Sequence, residues 1–181
     1  MSEVFELRQY TLHPGARETL IELFEREFIR AQEATGMSVP GHFRDLGDPN
    51  RFVWIRGFAD MPSRKEALTR FYDSESWRLH RDAANATMID WNDVLLLRFI
   101  DESRGFPAPD GERPLHVTVF PFDASLLPLA VLQSEHSENN YPRLPVREEN
   151  VLVTMTREPV HASVEPLQRL VLEPAARSRL R

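Results

Sequence analysis

Alternation is the first signal in this chain. Over residues 5–12, Phe-Glu-Leu-Arg-Gln-Tyr-Thr-Leu, apolar and polar residues interleave with the period of two that a strand imposes. Phe5 and Leu7 share one face, while Glu6, Arg8 and Tyr10 share the other. After Pro14-Gly15 the period changes. Leu20, Leu23, Phe24, Phe28 and Ala31 recur at helical spacing, with Glu18, Glu22, Glu25, Arg26, Arg30 and Glu33 around the rest. The spacing predicts a helix over 14–36, opened by Pro14 and stopped by Gly36. Residues 41–46 can form a strand, and Gly47-Asp48-Pro49-Asn50 is a turn. Residues 52–58 are β-branched and aromatic, the mark of another strand. A second helix opens at 62–66, where Ser63 and Glu66 have capping-box spacing. Ala67, Leu68, Phe71 and Tyr72 form its buried stripe. It breaks near Asp73-Ser74 and resumes from Trp77 to Met88, and residues 94–100 make a short apolar strand.

The order β-α-β-β-α-β is that of the split βαβ, or ferredoxin-like, sandwich, an α+β fold. Its helices cover one sheet face, and something must cover the other. Residues 101–114, with Gly105, Pro107, Pro109, Gly111 and Pro114 among charges, read as a linker. Beyond it, residues 116–120 alternate like the first strand, and 129–136, 150–157 and 169–172 are further strand candidates. Only 123–128 and 159–167 stand where helices would. The chain thus reads as two ferredoxin-like repeats, 1–100 and 115–181, the second with reduced helices and its sheet facing the first. An unrelated all-β appendage is the other reading of 115–181. The trimmed repeat would leave Val117, Val119 and Leu152 on an exposed outer face, which predicts a homodimer.

Composition narrows the function classes. The chain has 181 residues, 41% hydrophobic, with 28 acidic against 22 basic residues and a formal charge of -6. The basic residues are nearly all Arg and are scattered, so no nucleic-acid partner is expected. Without cysteine, thiolate nucleophiles, disulfides and Cys-based metal sites are excluded. Met1-Ser2-Glu3-Val4 lacks a leader pattern and no apolar run approaches a membrane span. A cytoplasmic location and no membrane partner are the expectation.

The sequence resembles the NIPSNAP family. The matching residues are Phe5-Glu6-Leu7-Arg8-Gln9-Tyr10-Thr11-Leu12 with Pro14-Gly15, the turn Gly47-Asp48-Pro49-Asn50-Arg51 leading into Phe52-Val53-Trp54-Ile55-Arg56, and the stretch Asp73 to Trp77. The match spans roughly 4–100. Asn140-Tyr141-Pro142-Arg143-Leu144-Pro145-Val146-Arg147 is also similar to a segment of two-repeat bacterial members. The resemblance implies a dimeric α/β-barrel, in which two ferredoxin-like sheets close face to face and pocket residues line the bare faces. Related barrels include cofactor-independent oxygenases, small-molecule isomerases, haem-binding enzymes and plain binding proteins. The trimmed second repeat departs from the family pattern, and it leaves open whether the barrel closes within one chain or through a partner.

On that frame Glu6, Arg8 and Tyr10 should face a cavity between the sheets, with Trp54 and Arg56 across from them. An Arg there could hold a carboxylate or enolate, and Tyr10 could donate to a developing oxyanion. The plain alternative is an ion pair, Glu6–Arg8 or Glu6–Arg56, that satisfies a buried sheet face. Among the histidines, His116 aligns with Glu6 in the repeat and is the best inward general base, and His42 could also point inward. The expected catalytic set is Arg8, Tyr10 and His116; Glu6, His42, Trp54 and Arg56 would bind substrate. His80, on the second helix, is a further candidate as a haem ligand. No H-E-x-x-H spacing, G-x-S-x-G elbow or phosphate loop occurs, so neither a metal nor a cofactor is expected. The reading is a cofactor-independent enzyme that cyclises, isomerises or oxygenates a small apolar or aromatic compound, with a role in biosynthesis as the expectation. A ligand-binding or scaffold protein is the competing reading.

Overall fold

In the computed structural model, which describes residues 3–181, eight antiparallel strands close into one barrel. Met1 and Ser2, read above for a leader pattern, lie outside the described residues. The strands are β1 (Val4–Leu12), β2 (Ser38–Asp45), β3 (Arg51–Phe58), β4 (Met88–Phe99), β5 (Leu115–Pro121), β6 (Leu132–Ser134), β7 (Val151–Thr156) and β8 (Gln168–Pro174). Their order round the barrel is β1-β3-β2-β8-β5-β7-β6-β4. The first repeat contributes the run β4-β1-β3-β2 and the second the run β8-β5-β7-β6. Renumbered within its own repeat, each run reads 4-1-3-2. The second half is therefore a ferredoxin-like repeat stripped of its helices, not an unrelated appendage. The seams are short: Phe43 pairs with Pro174 and Asp45 with Leu172 on one side, Leu97 with Ser134 and Phe99 with Leu132 on the other. The barrel closes within one chain.

An eight-stranded barrel has an interior just wide enough for side chains. Here Phe5, Leu7, Val53, Ile55, Leu95 and Leu97 meet Val117, Val119, Val153, Leu170 and Leu172 in one apolar core. Gln9 and Gln168 exchange side-chain amide hydrogen bonds of 2.7 and 2.9 Å. Phe106, from the segment joining the repeats, packs edge-on against Phe5 and Phe99. The space between the sheets is filled. It is not the cavity the alternation suggested.

The helices lie outside the barrel over the first repeat. They are α1 (Arg17–Leu23), a π-helical turn (Phe24–Phe28), α2 (Ile29–Glu33), α3 (Met61–Tyr72) and α4 (Glu75–Asn85). The first three form one rod, ending before Gly36, whose φ of 95° suits a residue without Cβ. The π turn is marked by the Ile29 N–H donating to the Phe24 carbonyl, five residues back. The break between α3 and α4 falls at Asp73-Ser74, as the pattern predicts. The cap of α3 does not: Asp60, not Ser63, is the N-cap, its carboxylate accepting from the Ser63 N–H at 2.7 Å.

In the second repeat only a 3-10 turn, Ala124–Leu126, survives where the first helix would stand. Val117 and Val119 point into the barrel rather than outward. Leu152 does face outward, but Phe120, Leu126 and Ala130 bury it, with Val160, Ala162 and Val164 packed against them. The bare apolar face that motivated self-association is thus absent at these positions. Among the described residues no helix is long and apolar enough to cross a membrane.

Candidate functional site

Because Phe5 and Leu7 fill the barrel, the opposite face of β1 turns toward the helices. Glu6, Arg8 and Tyr10 therefore sit under α1–α4, on the side the sequence reading gave to the apolar residues. The inversion has a simple cause. A closed barrel buries both faces of β1, and its narrow interior cannot hydrate charges. The helix layer, by contrast, brings polar partners of its own.

Those partners build a cluster around one carboxylate. Glu6 Oε2 accepts from Arg8 Nη1 at 2.6 Å and from Arg56 Nε at 2.8 Å; Oε1 accepts from Arg64 Nε at 2.8 Å. All four side chains are at most 1% exposed. Register explains the pairing: Glu6 lies directly opposite Arg56 on β3, and Arg8 opposite Trp54. Arg64 comes down from the first turn of α3. Burial pushes the Glu6 carboxyl up, but Arg56, Arg8 and Arg64 outweigh it and hold it well below the usual carboxylate range. Burial also pulls the Arg64 guanidinium below its ordinary value, against the attraction of Glu6. Three guanidinium groups share one carboxylate, so the cluster carries a buried positive excess. Its unmet groups are all donors: Arg56 Nη2, Arg64 Nη2, Gln32 Nε2 and Trp54 Nε1 are buried without a hydrogen-bond partner.

Beside this cluster opens a cavity of about 230 Å³, lined by Arg8, Tyr10, Tyr72, Trp77, Asn85, Met88, Trp91, Tyr141, Arg143 and Leu144. A smaller chamber of about 40 Å³ shares Tyr10, Tyr72, Trp77 and Met88 with it and reaches Phe24, Phe28, Trp54 and Arg56. Arg8 Nε donates to the Tyr10 hydroxyl at 3.2 Å. With its oxygen accepting, the Tyr10 O–H is left to donate elsewhere. The Arg8 guanidinium carbon lies 5.6 Å and that of Arg56 5.2 Å from the Trp54 ring centre, within cation–π range.

The second repeat supplies the far wall. The segment between β6 and β7 crosses to the first repeat, where Tyr141 stacks on Tyr72 with ring centres 6.1 Å apart. Asn139 and Asn140 accept from Arg64 Nη1 at 3.0 and 2.9 Å. Asn140 also donates to the Met61 carbonyl at 2.6 Å. Burial pushes the Tyr141 phenol up. The strap is thereby tied to the same arginine that holds Glu6.

The structure thus brings together five of the seven residues the sequence singled out: Glu6, Arg8, Tyr10, Trp54 and Arg56. His42 is near them but spent elsewhere. Its Nε2 lies 2.8 Å from Glu25 Oε1, its ring lies beside Phe24, and it lines neither chamber. His116 is separated altogether. Leu115, Val117 and Val119 point inward, so His116 points out, on a strand four places from β1 whichever way the barrel is counted. His80 lies 3.3 Å from Glu27 and lines neither chamber. Sequence reasoning missed Arg64, Tyr72, Trp77, Tyr141 and Arg143. The helical residues read as capping and core stripe, and only the family-like stretch around Tyr141 hinted at the strap.

The NIPSNAP family model matches residues 5–103. No curated protein sequence matches the chain. Among solved structures, a NIPSNAP-like domain protein from Burkholderia xenovorans aligns at 23% identity over 59% of this chain and 92% of its own, with a TM-score of 0.52. Two proteins carrying inferred monooxygenase names align over both repeats. The one from Lactobacillus acidophilus is 10% identical, over 96% of this chain and 94% of its own, with a TM-score of 0.58. The one from Fusobacterium nucleatum is 8% identical, over 96% and 92%, with a TM-score of 0.59. The first likeness shows the fold over 59% of the chain, and the other two show the shared fold over both repeats. With its model covering more than half of the residues, the chain belongs to the NIPSNAP family.

Proposed function

We propose that this protein is a small-molecule enzyme that works without a resident cofactor on an aromatic or conjugated compound bound under the helices of the first repeat. The observation that carries the reading is Arg8 and Tyr10 side by side in an aromatic-walled cavity, above a cluster with more guanidinium groups than carboxylates. Such an arrangement favours negative charge developing on a substrate oxygen. When a carbon acid gives its proton to water at the solvent-facing edge of the chamber, where Arg143 is exposed, the charge moves to that oxygen. Arg8 supplies a fixed positive field, and the Tyr10 O–H supplies a donor already oriented by Arg8. Isomerisation, cyclisation and oxygenation of an electron-rich ring all pass through such an anion. The fold likeness to proteins with inferred monooxygenase names fits this class.

The competing reading is a ligand-binding protein. It draws on one feature: no carboxylate or imidazole lines either chamber, so phenols are the only side-chain proton acceptors there. The two readings separate in D₂O. A panel of 1,3-diketones and polyhydroxylated aromatics is followed by NMR for exchange at the acidic carbon, with an oxygen electrode in parallel. An enzyme accelerates exchange or oxygen uptake on at least one compound, and Arg8→Met or Tyr10→Phe lowers that rate about 10²–10³-fold. Binding without conversion anywhere in the panel supports the second reading, whereas full activity in both variants would remove Arg8 and Tyr10 from the catalysis.

A further inference from the structure

The two arginines of the larger chamber come from different repeats. Arg8 rises from β1, held by Glu6 and Tyr10. Arg143 comes from the strap between β6 and β7. Unlike Arg8, it has no ion-pair or hydrogen-bond partner among the described residues, and it is exposed. The remaining lining is aromatic, apolar or amide, and no acidic residue shares the chamber with these cations. An unpartnered guanidinium at the edge of an aromatic chamber is a carboxylate-recognition element, because its planar fork matches that anion. Volume limits the ligand. An apolar cavity of ~150 Å³ admits benzene, so about 230 Å³ holds one substituted ring or a conjugated chain of similar bulk.

We propose that the ligand of this chamber is a small aromatic acid gripped at two ends, its phenol or enol oxygen at Arg8 and Tyr10 and its carboxylate at Arg143. The proposal rests on the same chamber as the proposed function but adds the substrate class. It also gives the second repeat a role: its strap carries the specificity-determining cation, while Tyr141 on Tyr72 holds that strap over the ring. A single first repeat would contain the oxyanion side of the site and lack the carboxylate side.

The test uses fluorescence, since all three tryptophans, Trp54, Trp77 and Trp91, line one chamber or the other. The probes are 4-hydroxybenzoate, 4-hydroxyphenylacetate and 4-hydroxycinnamate, a length series, each beside its neutral amide. At least one acid is expected to quench with a Kd about tenfold or more below that of its amide. Arg143→Gln, a surface change, abolishes that preference and leaves the amide's Kd unaltered. Equal binding of acid and amide, with no effect of Arg143→Gln, overturns the two-ended ligand while leaving the oxyanion site to its own exchange assay. Acid preference that survives Arg143→Gln also overturns it, as does the absence of quenching by every probe. Failure of the exchange assay alongside a preference that depends on Arg143 leaves the ligand class standing and removes only the catalysis.

Discussion

Glu6 is the residue on which the helix-facing side of the first repeat turns. Its carboxylate is the only anion among three buried guanidinium groups. Replacing a buried ion cluster wholesale can be neutral, but removing one partner leaves the others uncompensated. Glu6→Gln is therefore expected to lower unfolding stability by roughly 3–5 kcal/mol, read as a shift in the urea midpoint at constant slope. Acid affects two residues in separate windows. The folded-state pKa of Glu6 is depressed, so its contribution is present above the unfolded carboxylate pKa and fades as pH falls below it. His42 is also depressed, by burial that outweighs Glu25. The unfolded imidazole takes up a proton below its ordinary value of 6.5 while the folded one resists. Stability then declines as pH drops from 7 through 6. His42→Gln should flatten that part of the stability–pH curve relative to the parent protein; an unchanged slope between pH 7 and 5.5 rules out this account of His42. The ionic partners of Glu6 were legible at this scale, since Arg8 and Arg56 share its face by alternation. Arg64 was not, because nothing in a helix's first turn says which strand residue lies beneath it.

The elements were largely visible in periodicity, and their punctuation carries the site. Asp73-Ser74 breaks the second helical stretch, and Ser74 caps α4 by accepting from the Trp77 N–H at 3.2 Å. That cap places Trp77 beside Phe28, Phe71 and Tyr72 and so forms a chamber wall. Ser74→Ala is expected to cost about 1 kcal/mol, a fall in Tm of about 2–4 °C for a chain of this size, and to weaken ligand quenching as well. Asp60→Ala removes the equivalent cap of α3, whose first turn carries Arg64, and should lower the Tm as well. The π turn was invisible to a helical-period reading. It keeps Phe24, Phe28 and Gln32 four residues apart on the sheet side while Glu25 reaches His42. What alternation could not show was which face of β1 meets the helices. It sorts residues into two sets but does not say which neighbour each set receives; that depends on how tightly the second sheet closes.

At the scale of the whole molecule, closure explains both the success and the error of the sequence reading. Two ferredoxin-like halves were legible because each keeps its alternating strands, and their common 4-1-3-2 order shows the second half retains the pairing after losing its helices. The barrel interior was read as a pocket because charged residues on β1 had to face something. In fact the second sheet offers the first a mainly apolar set, Val117, Val119, Val153, Leu170 and Leu172 among it, with Gln168 meeting Gln9, and so forms a lid over Phe5, Leu7, Val53, Ile55, Leu95 and Leu97. The second repeat thus contributes half of one core and the strap over the chamber. A fragment of residues 1–100 would expose its half of that core as one continuous apolar sheet face, a surface that drives association. The second sheet is itself a ferredoxin-like sheet in the same strand order, so another copy of the first offers a similar complement, and two-fold pairing is the commonest closed solution. The fragment is expected to run as a dimer in light scattering at micromolar concentration, with the acid-over-amide preference lost because Arg143 is gone. A fragment that stays monomeric and soluble would contradict the shared core, since that much exposed apolar sheet has no other way to leave water.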